Sequence, residues 1–385
     1  MQNTLFNEID RLSSGYVQIW EDVCNIESPS NDKKCVDRVG TYFCELAAKR
    51  NWKIEVFKQE CFGDVFCITM NPESPMQPIA LSGHMDTVHP IGSFGTPAVR
   101  RDDTKLYGPG AMDCKGGIVA GFLAMDALRH CGFTDRPIMM LLQSNEEIGS
   151  GLNNKIPIQY ICQKAKDAIA FLNLEGHDDS FSGKACLIRK GIAGFRFAIQ
   201  GIETHASYAA REGASAIREA AYKIIEIEKI KDNDGVTCNC GIITGGKATN
   251  TVPGKCEFRV DVRFSTQEQY QDAVSHLRRI ADKVYVSGCS CTMEQTNLRP
   301  AMELNEKNTA LLKKANELFA KNGLPCLEIG MRTGGSDASD VTVCGIPCMD
   351  SIGVRGGRGH SVEEYGYISS LAESAKRIAS IVCGI

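Results

Sequence analysis

Two side chains that often bind metals follow one apolar segment of the sequence. His84 and Asp86 stand in LSGHMDTV, directly after the β-prone residues PIA. In an extended chain residues i and i+2 point to the same side, and a metal-bound imidazole needs an acceptor on its second nitrogen. Asp86 can supply that acceptor for His84. The alternative is a histidine at the edge of the core beside an aspartate that forms a turn.

A glycine-rich segment, GPGAMDCKGG, places Asp113 in front of an apolar helical pattern. Such a turn can cradle a phosphate group, but its spacing fits neither GxGxxG nor GxxxxGKS/T. The glycines instead allow a close approach of the backbone around Asp113. The segment therefore predicts one carboxylate that points into a crowded site.

Two adjacent acidic residues, Glu146 and Glu147, come directly after the apolar run PIMMLLQS. Most neighbouring like charges lie on a solvated surface. These two emerge from a predicted buried strand, where adjacent side chains diverge. One of them can then bind a metal while the other faces a substrate as a general base.

Two further candidates lie far apart in the chain. Glu175 ends the apolar segment FLNLEG, with His177 nearby as a rival ligand, and His360 stands in the glycine-rich loop RGGRGHS. Each residue alone is more typical of a structural role. Together the candidates supply two histidines and three carboxylates beside a spare glutamate, which is enough for two zinc-like ions that share a carboxylate.

The elements that must position these residues follow an α/β pattern. Two amphipathic helices open the chain, and short β-prone runs then alternate with an apolar helix from Cys114. This alternation predicts an α/β sheet with helices on its faces. Open sheets of this kind carry their sites at the carboxyl ends of the strands, where the candidates stand.

The pattern changes at about Arg189. Strand and helix patterns from there to Pro300 follow the order βαββαβ, the ferredoxin-like unit. The α/β pattern then resumes, with a helix, the turn-rich segment GMRTGGSDASD, a short strand and a C-terminal helix. We therefore predict a domain inserted at 189–300 into a discontinuous catalytic domain of 1–188 and 301–385.

Composition excludes several classes of protein. The 385 residues include 43 Lys and Arg against 47 Asp and Glu, a net charge of -4 that does not favour nucleic acid or anionic lipid. No apolar run approaches the roughly 20 residues that span a bilayer, so we expect no membrane anchor. The first residues carry neither a basic leader nor an unbroken apolar core, which favours a cytoplasmic location.

The 18 cysteines are scattered, but two pairs have the spacing CxC: Cys238 with Cys240, and Cys289 with Cys291. Such pairs can bind metal as thiolates. In a strand they can also share one buried face, and we favour this structural interpretation.

The motifs GHMDTV, GPGAMDCKGG, NEEIGS and the distant GHS, in this order, resemble the successive site motifs of the M20 family of co-catalytic zinc peptidases and amidohydrolases. That family includes glutamate carboxypeptidases, aminoacylases, acetylornithine deacetylases and succinyl-diaminopimelate desuccinylases. The resemblance covers nearly the whole chain. It implies a zinc-exopeptidase-like α/β catalytic domain with an inserted ferredoxin-like α+β lid, which usually also forms the homodimer.

The resemblance also implies the roles of the site residues. One ion would be bound by His84, Asp113 and Glu175, and a second by Asp113, Glu147 and His360. The ions would be Zn2+, with Co2+ or Mn2+ as possible substitutes. Asp86 would orient His84, and Glu146 would be the general base.

Residues of the insert and of the segment after it resemble substrate-binding positions. His205 in GIETHAS matches the family histidine that reaches the oxyanion, commonly from the partner subunit. Asn250 and Arg263 match lid positions, and Arg299 and Gly335 resemble the carboxylate-binding elements of glutamate carboxypeptidases, with Arg332 as a further candidate. Alternatively, Arg263 pairs with Asp261 or Glu257.

The resemblance therefore predicts a di-zinc hydrolase that cleaves N-acyl amino acids or short peptides with a free C-terminal carboxylate, in the manner of a glutamate carboxypeptidase. An aminoacylase or deacetylase would use the same metals and base. Two alternatives belong to other classes: a non-catalytic binding scaffold, and a metal-buffering protein that binds through the CxC thiolates.

Overall fold

The computed structural model describes residues 2–149, 155–231 and 235–385. Its helices are α1 (Gln2–Asn25), α2 (Lys33–Ala48), α3 (Lys115–His130), α4 (Ile156–Lys164), α5 (Ala209–Glu212), α6 (Ala216–Ile227), α7 (Gln267–Asp282), α8 (Glu306–Lys321), α9 (Asp337–Val343) and α10 (Ile368–Gly384). Within the described ranges, no helix has both the length and the apolar character needed to cross a membrane.

Most of the strands belong to three sheets. They are β1 (Lys53–Phe57), β2 (Val65–Met70), β3 (Ile79–His84), β4 (Arg100–Arg101), β5 (Lys105–Tyr107), β6 (Ile138–Gln143), β7 (Ala170–Asn173), β8 (His177–Asp178), β9 (Lys184–Arg189), β10 (Gly191–Gln200), β11 (Thr204–His205), β12 (Thr237–Gly245), β13 (Thr251–Val252), β14 (Lys255–Phe264), β15 (Ser290–Arg299), β16 (Glu328–Arg332), β17 (Cys348–Met349), β18 (Arg355–Gly357) and β19 (Tyr365–Tyr367).

The chain divides into two compact units. Unit 1 comprises Met1–Ile188, Leu304–Met331 and Asp340–Ile385, and unit 2 comprises Arg189–Glu303 and Arg332–Ser339. The predicted α/β class is confirmed in unit 1, where a six-stranded sheet has the order β1-β2-β6-β3-β7-β17. Strands β6, β3, β7 and β17 are parallel, whereas β2 is antiparallel to β6.

The parallel core of this sheet is covered, which explains its composition. Every residue of β3, β6 and β7 is buried, so these strands are continuous apolar runs rather than alternating ones. In the core beside them, the rings of Phe43 on α2 and Phe122 on α3 stack with centroids 4.8 Å apart. Burial of each ring contributes about 1.5–3 kcal/mol. This packing fixes the strand ends that carry the candidate site.

A second sheet of unit 1 was not predicted from the sequence. It has the order β4-β5-β19-β18-β8, and each of its strands is only two or three residues long. The loop between β18 and β19 contains His360, whose φ of 62° lies in the left-handed region. This small sheet therefore positions one of the predicted metal ligands.

Unit 2 contains the predicted βαββαβ series. Its four antiparallel strands have the order β12-β14-β10-β15, so the first and third strands of the series are central. The rings of Phe197 on β10 and Phe258 on β14 stack with centroids 4.7 Å apart in a core shared with α6 and α7. A capping box of Thr266 and Gln269 begins α7, and an N-cap of this kind contributes about 1 kcal/mol.

The prediction that GMRTGGSDASD is mainly turn was wrong in part. Strand β16 extends to Arg332 and pairs with β9, and helix α9 begins at Asp337, so only 333–336 form the turn. The glycines of this segment suggested an irregular chain, but pairing with a distant strand orders its first residues.

Candidate metal centre

The candidate ligands of unit 1 converge at the carboxyl edge of the large sheet. His84 ends β3, Glu146 and Glu147 follow β6, and Glu175 follows β7. These strands are parallel neighbours, and the ladder places His84 opposite Gln143. Parallel pairing therefore brings residues that are far apart in sequence to one edge, as expected for an open α/β sheet.

Asp113 lies between two histidines. Its Oδ1 is 3.1 Å from Nε2 of His84, and its Oδ2 is 3.5 Å from Nε2 of His360. Nε2 of His84 is also 3.7 Å from Oε1 of Glu175, and Nε2 of His360 is 3.1 Å from Oε2 of Glu147. The two oxygens of one carboxylate thus face two separate pairs of nitrogen and oxygen ligands.

The spacing and the chemistry of these donors suit metal ions. Ligand atoms placed tetrahedrally about 2.0–2.2 Å from zinc lie roughly 3.3–3.6 Å from one another. The separations in the cluster, 3.1–3.7 Å, are close to that spacing. Imidazole nitrogen and carboxylate oxygen are also the donors that zinc, cobalt and manganese accept.

The charges of the cluster favour cations as well. Burial, together with the negative charge of Asp113, raises the pKa of Glu147 to about 7, and burial raises the pKa of Glu175 well above its usual value. Hydrogen bonds to Asp113 and Glu147 raise the pKa of His360 to about 11. Three crowded carboxylates repel one another, and divalent cations would compensate that repulsion.

Asp86 is completely buried and organises the site. Its Oδ1 accepts the backbone N–H of Glu146 at 3.1 Å, and its Oδ2 accepts that of Glu147 at 3.2 Å and the hydroxyl of Ser30 at 2.6 Å. Nδ1 of His84 lies 2.9 Å from the backbone oxygen of Asp86 and 3.5 Å from its carboxylate. Asp86 therefore contacts both the ligand histidine and the two adjacent glutamates.

The adjacent glutamates occupy different positions in the cluster. Glu147 reaches the ligand atoms of His84 and Asp113 within 4.8 Å, whereas Glu146 belongs to no such group among the described residues. Glu146 is nevertheless buried, with 9% of its surface exposed, and it follows the same strand, β6. The two side chains therefore differ in position, and their roles as ligand and general base stay predictions.

Two predicted alternatives do not join the cluster. The rival ligand His177 lies on β8 opposite Arg355 of β18, outside the ligand groups found among the described residues. Cys238, Cys240 and Cys291 lie in or against the core of unit 2, and Cys289 is buried, which agrees with the structural interpretation. Ser150, the last residue of the motif NEEIGS, lies outside the described residues.

Three functional candidates were missed by the sequence reasoning. Ser30 binds Asp86, Sγ of Cys114 accepts the N–H of His84 at 3.0 Å, and Glu364 accepts the N–H of Asp113 at 3.0 Å. Cys114 immediately follows Asp113 in the motif GPGAMDCKGG, so the sequence could have indicated that it lies near the site. Ser30 and Glu364 depend on contacts between distant segments.

Two candidates of unit 2 lie at one short ladder, His205 within it and Asn250 directly before its second strand. Strand β11 ends at His205 and pairs with β13, and the backbone oxygen of Asn250 accepts the N–H of Ala206 at 2.9 Å. Both candidate side chains are exposed. Nδ1 of His205 lies 2.7 Å from the hydroxyl of Ser207, which leaves Nε2 as the nitrogen directed away from this contact.

The arginine candidates have different surroundings. Arg263 binds Asp261 two residues earlier, with Nε 2.6 Å from Oδ1, as the alternative interpretation predicted. Arg299 is buried, and its Nη2 lies 3.7 Å from Oδ1 of Asp337. A β carbon at Gly335 would lie 2.7 Å from Cδ of Arg299, so a larger residue there would require the Arg299 side chain to shift. The structure thus brings Arg299 and Gly335 together.

Comparisons with known proteins show what the chain is similar to. The model of Peptidase family M20/M25/M40 matches residues 80–383. Carboxypeptidase G2 of Pseudomonas sp. (strain RS-16) is 26% identical over 387 residues, covering 99% of this chain and 91% of that protein.

Two solved structures share the fold. A tripeptidase from Staphylococcus aureus subsp. aureus mu50 has a TM-score of 0.78 at 23% identity, over 96% of this chain and 97% of its own. A dinuclear metal binding peptidase from Bacillus subtilis has a TM-score of 0.71 at 14% identity, over 97% and 99%. At these identities the likeness concerns the fold alone.

Proposed function

The chain belongs to Peptidase family M20/M25/M40, and from this premise we propose that it is a di-zinc hydrolase of amide bonds. Its substrates would be N-acyl amino acids or short peptides with a free C-terminal carboxylate, cleaved as by a glutamate carboxypeptidase. The observation that carries this proposal is the position of Asp113, whose two oxygens face His84 and His360 separately.

The proposed ligands form two sets that share Asp113. His84 and Glu175 complete the first set, and Glu147 and His360 complete the second. When bound, two zinc ions, or cobalt or manganese in their place, supply Lewis-acid polarisation of the scissile carbonyl and lower the pKa of an attacking water. The negative charge of the three carboxylates offsets the charge of such ions.

Glu146 is the proposed general base. It takes a proton from the attacking water and delivers it to the departing amine, and a role of this kind contributes about 10²–10⁴-fold to the rate. The backbone bond from Glu146 to Asp86 holds the carboxylate at the strand end while its neighbour Glu147 binds metal. Asp86 thereby fixes base and ligand relative to each other.

Unit 2 supplies the proposed substrate contacts. His205 would donate a hydrogen bond to the oxyanion from Nε2, and Asn250, the residue before β13, would bind the substrate. Arg299 would bind the substrate carboxylate beside Gly335, since a guanidinium forms paired hydrogen bonds with a carboxylate. Arg263 is a second candidate, but it would have to exchange its bond with Asp261 for the substrate.

We also propose a cytoplasmic homodimer formed through unit 2. Strand β12 is the edge of its sheet and exposes Ile242 and Ile243 at 57% and 51%, and α6 exposes Ile225 at 57%. An exposed apolar edge strand supports pairing with a second chain. Sedimentation that finds only monomer at working concentration would contradict this assembly.

The test is amine release from N-acyl amino acids and dipeptides that vary at both ends, with zinc-loaded protein and a chelated control. We expect chelator-sensitive hydrolysis that favours C-terminal Glu or Asp. Selection by the acyl group alone would indicate an aminoacylase instead. Equal, chelator-insensitive background across the panel would overturn the hydrolase assignment and favour a binding scaffold.

A further inference from the structure

Glu364 is a buried carboxylate that the mechanism above does not use. It lies in the loop between β18 and β19, with 1% of its surface exposed. Its Oε1 accepts the N–H groups of Met112 and Asp113 at 2.9 and 3.0 Å. Its Oε2 accepts the N–H of Gly110 at 3.3 Å and lies 3.1 Å from Nε2 of His89. Both oxygens of this carboxylate therefore have partners.

The same residue is bound to the Asp113 segment through its backbone. The N–H of Gly108 donates to the backbone oxygen of Glu364 at 3.2 Å. The backbone N–H of Glu364 donates in turn to the backbone oxygen of Ser361, the residue after His360, at 2.9 Å. Glu364 thus connects the loop that carries His360 to the turn that carries Asp113.

These contacts explain why a charge occupies a core position. Burial of an ionised carboxylate is unfavourable unless it is hydrogen-bonded, and an apolar residue is often at least as stable in such a place. An apolar side chain would leave three buried backbone N–H groups without this acceptor, at about 1–3 kcal/mol each. Burial lowers the pKa of the completely buried Lys115 to about 8, and the negative charge of Glu364 is among those that oppose this shift.

The two proposed ions depend on this connection to different degrees. His84 and Glu175 stand at the ends of β3 and β7, which the sheet holds in place. His360 is 58% exposed on a loop, and it meets Asp113 at 3.5 Å. The spacing between Asp113 and His360 is therefore the one that the Glu364 contacts set.

We propose that Glu364 is a positioning residue for the second ion, because it holds the main chain of Asp113 and the His360 loop in one arrangement. This inference rests on the proposed two-ion site. Residues that orient metal ligands typically change metal affinity by about 10–100-fold when they are replaced. We expect the larger loss at the ion bound by Asp113, Glu147 and His360, because the other ion keeps His84 and Glu175, which the sheet holds in place.

The experiment is equilibrium dialysis of metal-free protein against zinc, with the ions bound per chain measured by elemental analysis. In Glu364→Ala the second ion binds about 10–100-fold more weakly, while the affinity of the first ion stays within about threefold. The matched control is Glu363→Ala, since Glu363 is adjacent, 66% exposed and paired only at 3.4 Å with Arg100. The variant Glu363→Ala should bind both ions with the affinities of the unchanged protein.

A second variant keeps the test decisive if Glu364→Ala does not fold. Glu364→Gln keeps the volume of the side chain and one acceptor oxygen, so it retains part of the hydrogen bonding. We expect its main effect, a loss of about tenfold in affinity, at the second ion. Circular dichroism and thermal unfolding of the metal-free variants show whether they are folded.

The outcomes separate this inference from the proposed function. Folded Glu364 variants that bind both ions like Glu363→Ala, or that lose both ions to the same degree, would overturn the positioning role. An unchanged protein that binds fewer than two ions would overturn the two-ion site itself, and the positioning role with it.

Discussion

The ligand cluster of unit 1 and the substrate candidates of unit 2 are positioned in different ways. In unit 1, five candidate ligands meet through contacts of 3.1–3.7 Å, and most of them follow strands that are entirely buried. In unit 2, His205 and Asn250 are exposed beside a ladder of two residues, and Arg263 binds its own neighbour.

The difference shows which roles a fold specifies by itself. A ligand held by a buried strand and by hydrogen bonds has little freedom, so its geometry exists before any substrate arrives. An exposed histidine on a short ladder acquires its role from what it contacts. We therefore expect substitutions in unit 1 to change metal content or the chemical step, and those in unit 2 to leave the metals in place.

The largest effect distinguishes the adjacent glutamates. Glu146→Gln should lower kcat by about 10²–10⁴-fold with zinc content unchanged, because it removes the base and no ligand. Glu147→Gln should lose the second ion. The measurements are steady-state hydrolysis and zinc per chain. Near-normal turnover in Glu146→Gln with both ions bound would remove the hydrolase mechanism.

The second effect compares the two possible metal-binding chemistries. His84→Ala removes a buried ligand and should weaken binding of the first ion by more than about 100-fold, beyond the loss typical of residues that only support a ligand. The double variant Cys238→Ser and Cys240→Ser should keep both ions. Equilibrium dialysis against zinc measures the ions bound by each variant. Loss of metal in the double cysteine variant, with normal binding in His84→Ala, would favour the thiolate metal buffer.

A smaller effect is expected at the proposed oxyanion contact. His205→Ala should lower kcat by about 10²–10³-fold with zinc content unchanged, as for loss of one oxyanion donor. His276, an exposed histidine on α7 of the same unit, provides the control His276→Ala. Equal kinetics for the two variants would show that His205 has no catalytic contact.

The smallest effects compare two arginines of unit 2. Arg299→Gln should raise KM by about 10–100-fold, since a hydrogen bond to a charged group contributes about 1.5–3 kcal/mol. Arg263→Gln should change KM by less than about threefold, because exposed ion pairs such as the one with Asp261 contribute little. Because Arg299 is buried, thermal unfolding of Arg299→Gln shows whether the variant is still folded. A larger change of KM in Arg263→Gln than in Arg299→Gln would indicate that Arg263, and not Arg299, binds the substrate carboxylate.

The sequence predicted much of the fold that brings the candidate ligands of unit 1 together. Runs such as IMMLLQ predicted buried strands, and parallel pairing then required the residues after them to meet at one edge. The small sheet was missed because strands of two or three residues have no alternation to detect. Glu364 was missed because, next to Glu363, nothing local indicates which of the two is buried.

The most direct test of the account is the metal content of Asp113→Ala beside that of the unchanged protein, after reconstitution with zinc. A shared ligand predicts two ions per chain in the unchanged protein and loss of both in the variant, with circular dichroism showing that the variant is folded. Retention of either ion at full occupancy in folded Asp113→Ala would contradict the shared site.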